Sequence, residues 1–347
     1  MKRNYTGAVF LALALGCTTG CTTVWAQNVK ITPLGSHAGE LCRSDRATLF
    51  EDPTGVRILY DVGHTVTGGD DPRLGEVHVV LLSHAHGDHI GDRKLKAIGA
   101  GTCAAPDTVS AAPHSLTAEV AAAKNAAVVT TQEMSVFLGK KIQNINGKPT
   151  PVCAQTAGAT NVPTGAPCRS GTHMGATFIA KTANAAQGPE ITLIYASHAN
   201  NVALSLVAEQ QRPPAGGDEL SVVLGPPIGY VIKFTNGLTV YLTGDSGIHS
   251  EMKTVVNDFH KANLAIFNLG LSAITAASAA HAINEMVRPA SVILSHTNEV
   301  SSEGGKLRPN TLSAAFISRL KGVTPHLAIS GRTMEFDGRG RCAAGCQ

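Results

Sequence analysis

Aromatic side chains and charge are both scarce in this chain of 347 residues. Phe, Trp and Tyr together make up 4% of the sequence and charged residues 15%. The formal charge of +3 gives no strong electrostatic attraction to nucleic acid. The few aromatic rings argue against a surface on which sugars or bases stack, and the absence of a CxxC pair disfavours a zinc ribbon. We therefore expect a small-molecule ligand and no nucleic-acid partner.

The chain also lacks an apolar run of about 20 residues, the length that spans a bilayer. Two basic residues near the start precede a shorter apolar run from Ala8 to Leu15, and small residues occupy the positions before Ala26 that a signal peptidase reads. The pattern predicts a signal peptide over residues 1–26, cleaved after Ala26, and a mature protein in the periplasm or secreted. Lipidation at Cys17 or Cys21 is the alternative.

An even number of cysteines remains after that cleavage. An even number in an exported protein indicates disulfides, but the pairing is open because six cysteines allow 15 connectivities. Our hypothesis is that Cys342–Cys346 and Cys153–Cys168 each close a local loop, which leaves Cys42–Cys103. Buried free thiols or metal ligands are the alternatives.

Short apolar runs and helical patterns alternate along the mature chain, and 43% of all residues are hydrophobic. An Asn-Gly pair at 236–237 predicts a hairpin. The runs predict strands at 29–33, 57–61, 78–83, 191–196, 230–234, 238–243, 264–269 and 291–295. The patterns predict helices at 116–125, 131–143, 250–260, 277–287 and 311–320. This order favours layered sheets with helices outside. Two stretches, 144–171 and 199–229, are read as long irregular loops that cover or line a site.

The strongest signal for chemistry is the segment Ser83–His89, which reads Ser-His-Ala-His-Gly-Asp-His and follows an apolar strand pattern. In an extended segment His84 and His86 point the same way. A turn after them can bring Asp88 and His89 back to a neighbouring point. Three imidazoles and a carboxylate at this spacing suit two adjacent metal ions, as is typical of zinc. A surface histidine tract is the alternative.

With this HxHxDH motif the chain resembles the metallo-β-lactamase superfamily, and the similarity extends over roughly Val29 to Gly338. The resemblance implies an α+β fold, a four-layer αββα sandwich, formed by a single domain over residues 27–347. It also implies a metal-dependent hydrolase. Asp61, in Asp-Val-Gly at the end of a strand pattern, resembles the family's Asp-x-Gly, whose carboxylate supports the metal ligands.

Three later motifs resemble the remaining ligand positions of the family. His198 follows a strand pattern and is implied as the third ligand of the first metal, with His173 as its rival. Asp245, in Thr-Gly-Asp-Ser-Gly, is implied to bridge the two metals. His296, directly after an apolar strand pattern, is implied as the last ligand of the second metal.

The implied centre holds two divalent metal ions, for which we expect zinc, although manganese and iron also fit nitrogen and oxygen ligands. The first ion would be bound by His84, His86 and His198, and the second by Asp88, His89 and His296, with Asp245 between them. Two zinc ions would lower the pKa of a shared water to about 7 and so supply a hydroxide nucleophile at neutral pH. Asp88 would accept a proton or orient the nucleophile.

The sequence differs from the better-known branches of the superfamily, and these differences narrow the range of expected substrates. Asp245 stands near the place where many zinc β-lactamases have Cys or Ser, and the residues around His198 differ from those of glyoxalase II. The strand followed by Thr-Gly-Asp resembles the ascorbate-6-phosphate lactonase-like and RNase Z-like branches. Export and low charge disfavour a tRNA nuclease. We expect hydrolysis of a small lactone, ester or amide.

Three alternatives remain open at this stage. They are a phosphodiesterase or phosphatase for small, including cyclic, nucleotides, a β-lactam hydrolase, and a metal-containing binding protein without turnover. The sequence leaves the oligomeric state undetermined. Adjacency to the motifs suggests these residues as the pocket lining: Asn200, Asn201, Thr297, Asn298 and Glu299.

Overall fold

The computed structural model describes residues 1–2, 27–207, 221–270 and 274–346. The predicted signal peptide therefore lies outside the described residues except for its first two, and so does the middle of the 199–229 stretch. Strands are numbered β1 to β22 and α-helices α1 to α5 in chain order.

The first sheet contains an antiparallel meander, β1–β2–β3, followed by parallel pairing from β3 through β4 and β7 to β9. Its central strands are buried and rich in Val, Ile and Leu, as a sheet covered on both faces requires. In sheet order it consists of β22 (Cys342–Ala344), β21 (Met334–Phe336), β1 (Val29–Pro33), β2 (Thr48–Glu51), β3 (Arg57–Tyr60), β4 (Val79–Leu81), β7 (Ala127–Thr131) and β9 (Cys168–Thr172).

The second sheet is mixed in the same way. Its strands β15, β16, β17 and β20 are parallel, and β14 and β15 form the hairpin that Asn-Gly at 236–237 predicts. In sheet order it consists of β20 (Thr324–Leu327), β17 (Ser291–Ser295), β16 (Leu264–Asn268), β15 (Thr239–Leu242), β14 (Ile228–Lys233), β11 (Glu190–Tyr195), β10 (Thr177–Thr182) and β8 (Thr160–Val162).

Short strand pairs and helices complete the described elements. The pairs are β5 (Arg93–Leu95) with β6 (Thr108–Ser110), β12 (Asn201–Ala203) with β13 (Ser221–Val223), and β18 (Ser302–Glu303) with β19 (Lys306–Leu307). The α-helices are α1 (Gly87–Ile90), α2 (Leu116–Ala123), α3 (Gln132–Asn146), α4 (Ala276–His281) and α5 (Leu312–Ile317). A 3₁₀ turn covers Leu204–Leu206, and π-helical turns cover Met252–Asn257 and Ala282–Val287.

The two sheets face each other across the main hydrophobic core. The rings of Tyr60 and Tyr230, one from each sheet, lie 6.2 Å apart edge to face. Helices α2 and α3 contact the strands of the first sheet, and a separate core joins the second sheet to α4, α5 and the π-helical turns. The expected αββα sandwich is confirmed.

The strand predictions are confirmed in all eight places, with ends that differ by at most a few residues. The irregular-loop interpretation is wrong in part, because 144–171 contains β8 and most of β9, and 199–229 contains β12 and β13. The predicted helix at 250–260 is shorter and π-helical, over Met252–Asn257.

Three disulfides join the cysteines in the pairs that we hypothesised: Cys42–Cys103, Cys153–Cys168 and Cys342–Cys346. Among the described residues, no helix is both long and apolar enough to cross a membrane.

Candidate metal centre

Four strands deliver the predicted ligands, each just beyond its carboxyl end. Strand β4 of the first sheet leads into the HxHxDH motif, and β11, β15 and β17 of the second sheet lead to His198, Asp245 and His296. The ligands from the two sheets meet in one cluster at this edge of the sandwich. The centre therefore depends on both sheets, and neither sheet alone supplies a complete set.

The first donor group consists of His84, His86 and His198. Nδ1 of His86 lies 3.1 Å from Nε2 of His84 and 3.3 Å from Nε2 of His198. The opposite ring nitrogens are also occupied. Nδ1 of His84 lies 3.0 Å from the Ser83 hydroxyl, and Nε2 of His86 lies 2.9 Å from Oδ1 of Asn201. Such outer contacts fix the orientation of imidazoles that bind a metal.

The second donor group consists of Asp88, His89 and His296. The short helix α1 turns the chain so that Oδ2 of Asp88 lies 3.9 Å from Nε2 of His89 and 3.4 Å from Nε2 of His296. Oδ2 of Asp61 lies 2.7 Å from Nδ1 of His89, and its Oδ1 accepts the backbone N–H of Ser83. Asp61 thus orients the ring and leaves Nε2 of His89 directed into the cluster, as predicted for the Asp-x-Gly motif.

Asp245 lies between the two groups. Its Oδ1 accepts a hydrogen bond of 3.0 Å from the side-chain amide of Asn268, at the end of β16. Its Oδ2 lies 3.4 to 4.0 Å from the Nε2 atoms of His89, His296, His198 and His84. One oxygen atom therefore faces both donor groups, which is the arrangement of a bridging ligand.

The electrostatics of this cluster favour a bound cation. Burial acts against the imidazolium of His89, but the carboxylates of Asp245 and Asp61 outweigh burial and raise the pKa of His89 to about 10. Burial likewise acts against the Asp245 carboxylate, yet the neighbouring histidines, His296 first, hold its pKa well below the usual range. Nε2 of His89 is buried without a hydrogen-bond partner. A buried nitrogen of this kind, among carboxylates, fits a divalent metal ion.

The structure brings all seven predicted ligands together, and Asp61 lies directly behind them. That they bind metal stays a prediction. The rival His173 is exposed in the turn after β9 and belongs to none of the donor groups found among the described residues.

Two contacts of the cluster were missed by the sequence reasoning: Arg46 and Asn268. Nη2 of Arg46 lies 2.8 Å from Oδ2 of Asp88. Asn268, like the predicted ligands, is a polar residue at the carboxyl end of a buried strand. The same sequence pattern could therefore have identified it. Arg46 has no such signal, because it precedes its strand.

The pocket-lining interpretation is wrong for Asn200 and Glu299. The amide of Asn200 is buried, accepts the N–H of Ala85 and donates to Leu224 O, so it ties the metal loop to the following segment. The carboxylate of Glu299 instead accepts the N–H groups of the first residues of α5. Thr297 is buried and bonds to Ser301.

Comparisons with known proteins agree with this architecture. No protein-family profile matches the chain. A UPF0173 metal-dependent hydrolase of Cupriavidus taiwanensis is 26% identical over 76% of each chain. Another, of Polynucleobacter asymbioticus, is 24% identical over 96% of this chain and 98% of the relative. The chain is therefore similar to UPF0173 metal-dependent hydrolases over most of its length.

A solved structure shows the same fold as this chain. The metallo hydrolase Igni18 of Ignicoccus hospitalis superposes with a TM-score of 0.53 at 19% identity, covering 89% of this chain and 99% of Igni18. At that identity the likeness shows the fold alone. The relatives, together with the His and Asp clusters, identify the chain as a metal-dependent hydrolase with the metallo-β-lactamase fold.

Proposed function

We propose that this hydrolase uses a binuclear centre to cleave a carbonyl compound of low molecular weight: a lactone, an ester or an amide. The observation that carries the proposal is the position of Asp245 Oδ2 between two complete donor groups. Two divalent ions, zinc by the chemistry of the donors, would supply water activation and carbonyl polarisation when bound.

Asp88 and the residues behind the ligands have different roles in the proposed hydrolysis. Asp88 is a partly exposed ligand, with 37% of its side chain accessible to solvent. Burial acts against its carboxylate, but Arg46 and His89 outweigh burial and lower the pKa of Asp88. An ionised, partly exposed carboxylate can accept a hydrogen bond from a water and hold that water in line for attack. Asp61 and Asn268 keep the ligands behind it in place.

A neutral carbonyl substrate suits the surroundings better than a phosphate. Arg46 already pairs with Asp88, and only 3% of its side chain is exposed, so its charge is not free for a substrate anion. Ser197, the neighbour of His198, accepts the N–H of Gly247, and the next residue, Ile248, is 40% exposed.

The test is turnover by the purified mature protein, with its metal content quantified, on lactones, p-nitrophenyl esters, bis-p-nitrophenyl phosphate and β-lactams. We expect carbonyl hydrolysis that is lost with a chelator and in Asp245→Ala, and retained in His281→Ala, an exposed histidine of α4. Phosphodiester turnover alone would replace the carbonyl assignment. Two bound metals without turnover on any class would favour a binding protein.

We also propose that the protein is exported to the periplasm or beyond. Its three disulfides support this, since disulfides persist in oxidising compartments. The experiment is fractionation of expressing cells with N-terminal sequencing of the mature chain, for which we expect Gln27 as the first residue. A cytoplasmic full-length chain would contradict export, and a lipidated Cys17 or Cys21 would replace cleavage after Ala26.

A further inference from the structure

Arg46 contacts the atoms that the second metal position needs. Its Nη2 lies 2.8 Å from Oδ2 of Asp88 and 2.9 Å from Nε2 of His296. The same nitrogen lies 3.3 Å from Oδ1 of Asn298. Oδ2 of Asp88 and Nε2 of His296 are two of the three atoms in the second donor group. The guanidinium and a second metal ion therefore compete for the same lone pairs.

The surrounding backbone holds Arg46 in this place. Its Nη1 donates a 3.0 Å hydrogen bond to Ser44 O. Its aliphatic stem lies against Gly63, where a Cβ would come within 2.9 Å of Arg46 Cγ, so a glycine is needed to leave this space open. The preceding residue, Asp45, is buried and accepts the N–H groups of Ser36 and Cys42. These contacts fix the loop that carries the guanidinium.

The first donor group has a different environment. The outward nitrogens of His84 and His86 contact neutral groups, the Ser83 hydroxyl and the Asn201 amide oxygen. Those contacts leave the inward nitrogens available to a metal. A guanidinium stays charged at any pH a protein experiences, so Arg46 both occupies ligand atoms of the second position and repels a divalent ion there.

We propose that Arg46 acts as a resident cation that makes the two metal positions unequal. The first position, at His84, His86 and His198, binds tightly. The second position, at Asp88, His89 and His296, binds weakly and fills only when the guanidinium withdraws. Arg46 is thus a positioning residue that sets the metal occupancy of the centre, and the inference rests on the proposed binuclear site.

The test is a competitive-chelator titration of the metal-free protein with zinc alone, which needs no turnover. For the wild type we expect one equivalent to bind about 100-fold more tightly than the second, a gap of the size that neighbouring groups impose on metal sites. For Arg46→Met, which keeps the stem and removes the charge, we expect the second equivalent to tighten about tenfold or more while the first is unchanged. Arg43→Met, at an exposed arginine of the same loop, should match the wild type.

The outcomes separate this inference from the proposed function. Two equivalents of equal affinity in the wild type would overturn the role of Arg46 while leaving the binuclear centre intact. The absence of any zinc binding in the wild type would overturn the proposed function itself. Circular dichroism checks that Arg46→Met is folded, and Arg46→Gln is the second variant if it is not. Adding His296→Ala to Arg46→Met should abolish the second equivalent, and its survival would contradict the assignment.

Discussion

At the level of single residues, the amide of Asn268 decides which oxygen of Asp245 faces the metal positions. It holds Oδ1 at 3.0 Å and leaves Oδ2 toward the histidines. In Asn268→Ala the carboxylate can rotate, so we expect zinc affinity to fall about tenfold or more, measured by chelator competition. Asn161→Ala, at an exposed position in β8, is the control. Equal affinities in the two variants would show that Asn268 does not orient the bridge.

The choice between His198 and His173 as the third ligand is also tested at this scale. His198 Nε2 lies 3.3 Å from His86 Nδ1, whereas His173 is an exposed turn residue. His198→Ala should lose most of its bound metal and activity, and His173→Ala should keep both. Atomic emission measures the metal content, and turnover of the substrate that the wild type hydrolyses measures the activity. The reverse pattern would assign the third ligand to His173.

Away from the centre, Asp71 makes a pH-dependent contribution to stability. Burial acts against its carboxylate, but hydrogen bonds from Arg73 and from the N–H of Thr67 outweigh burial and lower its pKa. A lowered pKa in the folded state means that this stabilisation is present above about pH 4 and is lost as the pH falls further. Asp71→Asn should therefore destabilise the protein at pH 7 by about 1–3 kcal/mol and by less at pH 3, as measured by urea unfolding. An equal loss at both pH values would contradict the ionised pair.

The ligand residues could be predicted from the sequence because each one follows an apolar strand pattern. The order of these motifs along the chain then matches the order of the ligand motifs in the metallo-β-lactamase superfamily. Arg46 could not be predicted in this way. It meets Asp88 and His296 only through folding, because 250 positions separate it from His296. Asn200 shows the converse error, since adjacency to His198 placed it in the pocket while its amide is buried in backbone contacts.

At the level of elements, the disulfide Cys153–Cys168 ties a loop to the start of β9, an edge strand of the first sheet. The double variant Cys153→Ser/Cys168→Ser should lose about 3 kcal/mol of unfolding free energy, the value for a loop of about 15 residues, in urea titrations without reductant. The pair Cys342–Cys346, only 4 residues apart near the carboxyl end, should cost less when removed in the same way. A larger loss from the second pair would contradict the loop-closure account.

Strands with long apolar runs were predictable, whereas edge strands and some short interior strands, such as β2 and β7, were not. Strands β4, β14, β16 and β17 are buried throughout, or nearly so, and give continuous apolar signals. Strand β9 reads Cys-Arg-Ser-Gly-Thr and mostly follows no apolar pattern. Its conformation comes from pairing with β7 and from contacts with α3, which a local pattern does not contain.

At the level of the whole molecule, the ligands come from both sheets, so bound metal would connect the two halves of the sandwich. Metal that binds only the folded state stabilises it by about 4 kcal/mol when free metal exceeds its Kd a thousandfold. Removing metal with a chelator should therefore lower Tm, as measured by calorimetry, and zinc should restore it. His84→Ala, which lacks a first-group ligand, should respond much less. An equal response in both proteins would argue against zinc binding at this centre.

The layered architecture was predictable because the order of apolar and amphipathic segments, together with the HxHxDH resemblance, implies it. The strand pairing at the edge of the first sheet could not be predicted. There β21 and β22, from the carboxyl end of the chain, extend the sheet beyond β1, which lies near the start of the mature chain.

The disulfide Cys42–Cys103 closes a covalent ring that contains the HxHxDH motif, Asp61 and Arg46. Ile98, within that ring, is 41% exposed and open to a protease. A single cut there would leave both fragments attached, so the nicked protein would migrate as one band until reductant separates it into two. Four of the seven predicted ligands would stay tethered to the rest of the centre after such a cut.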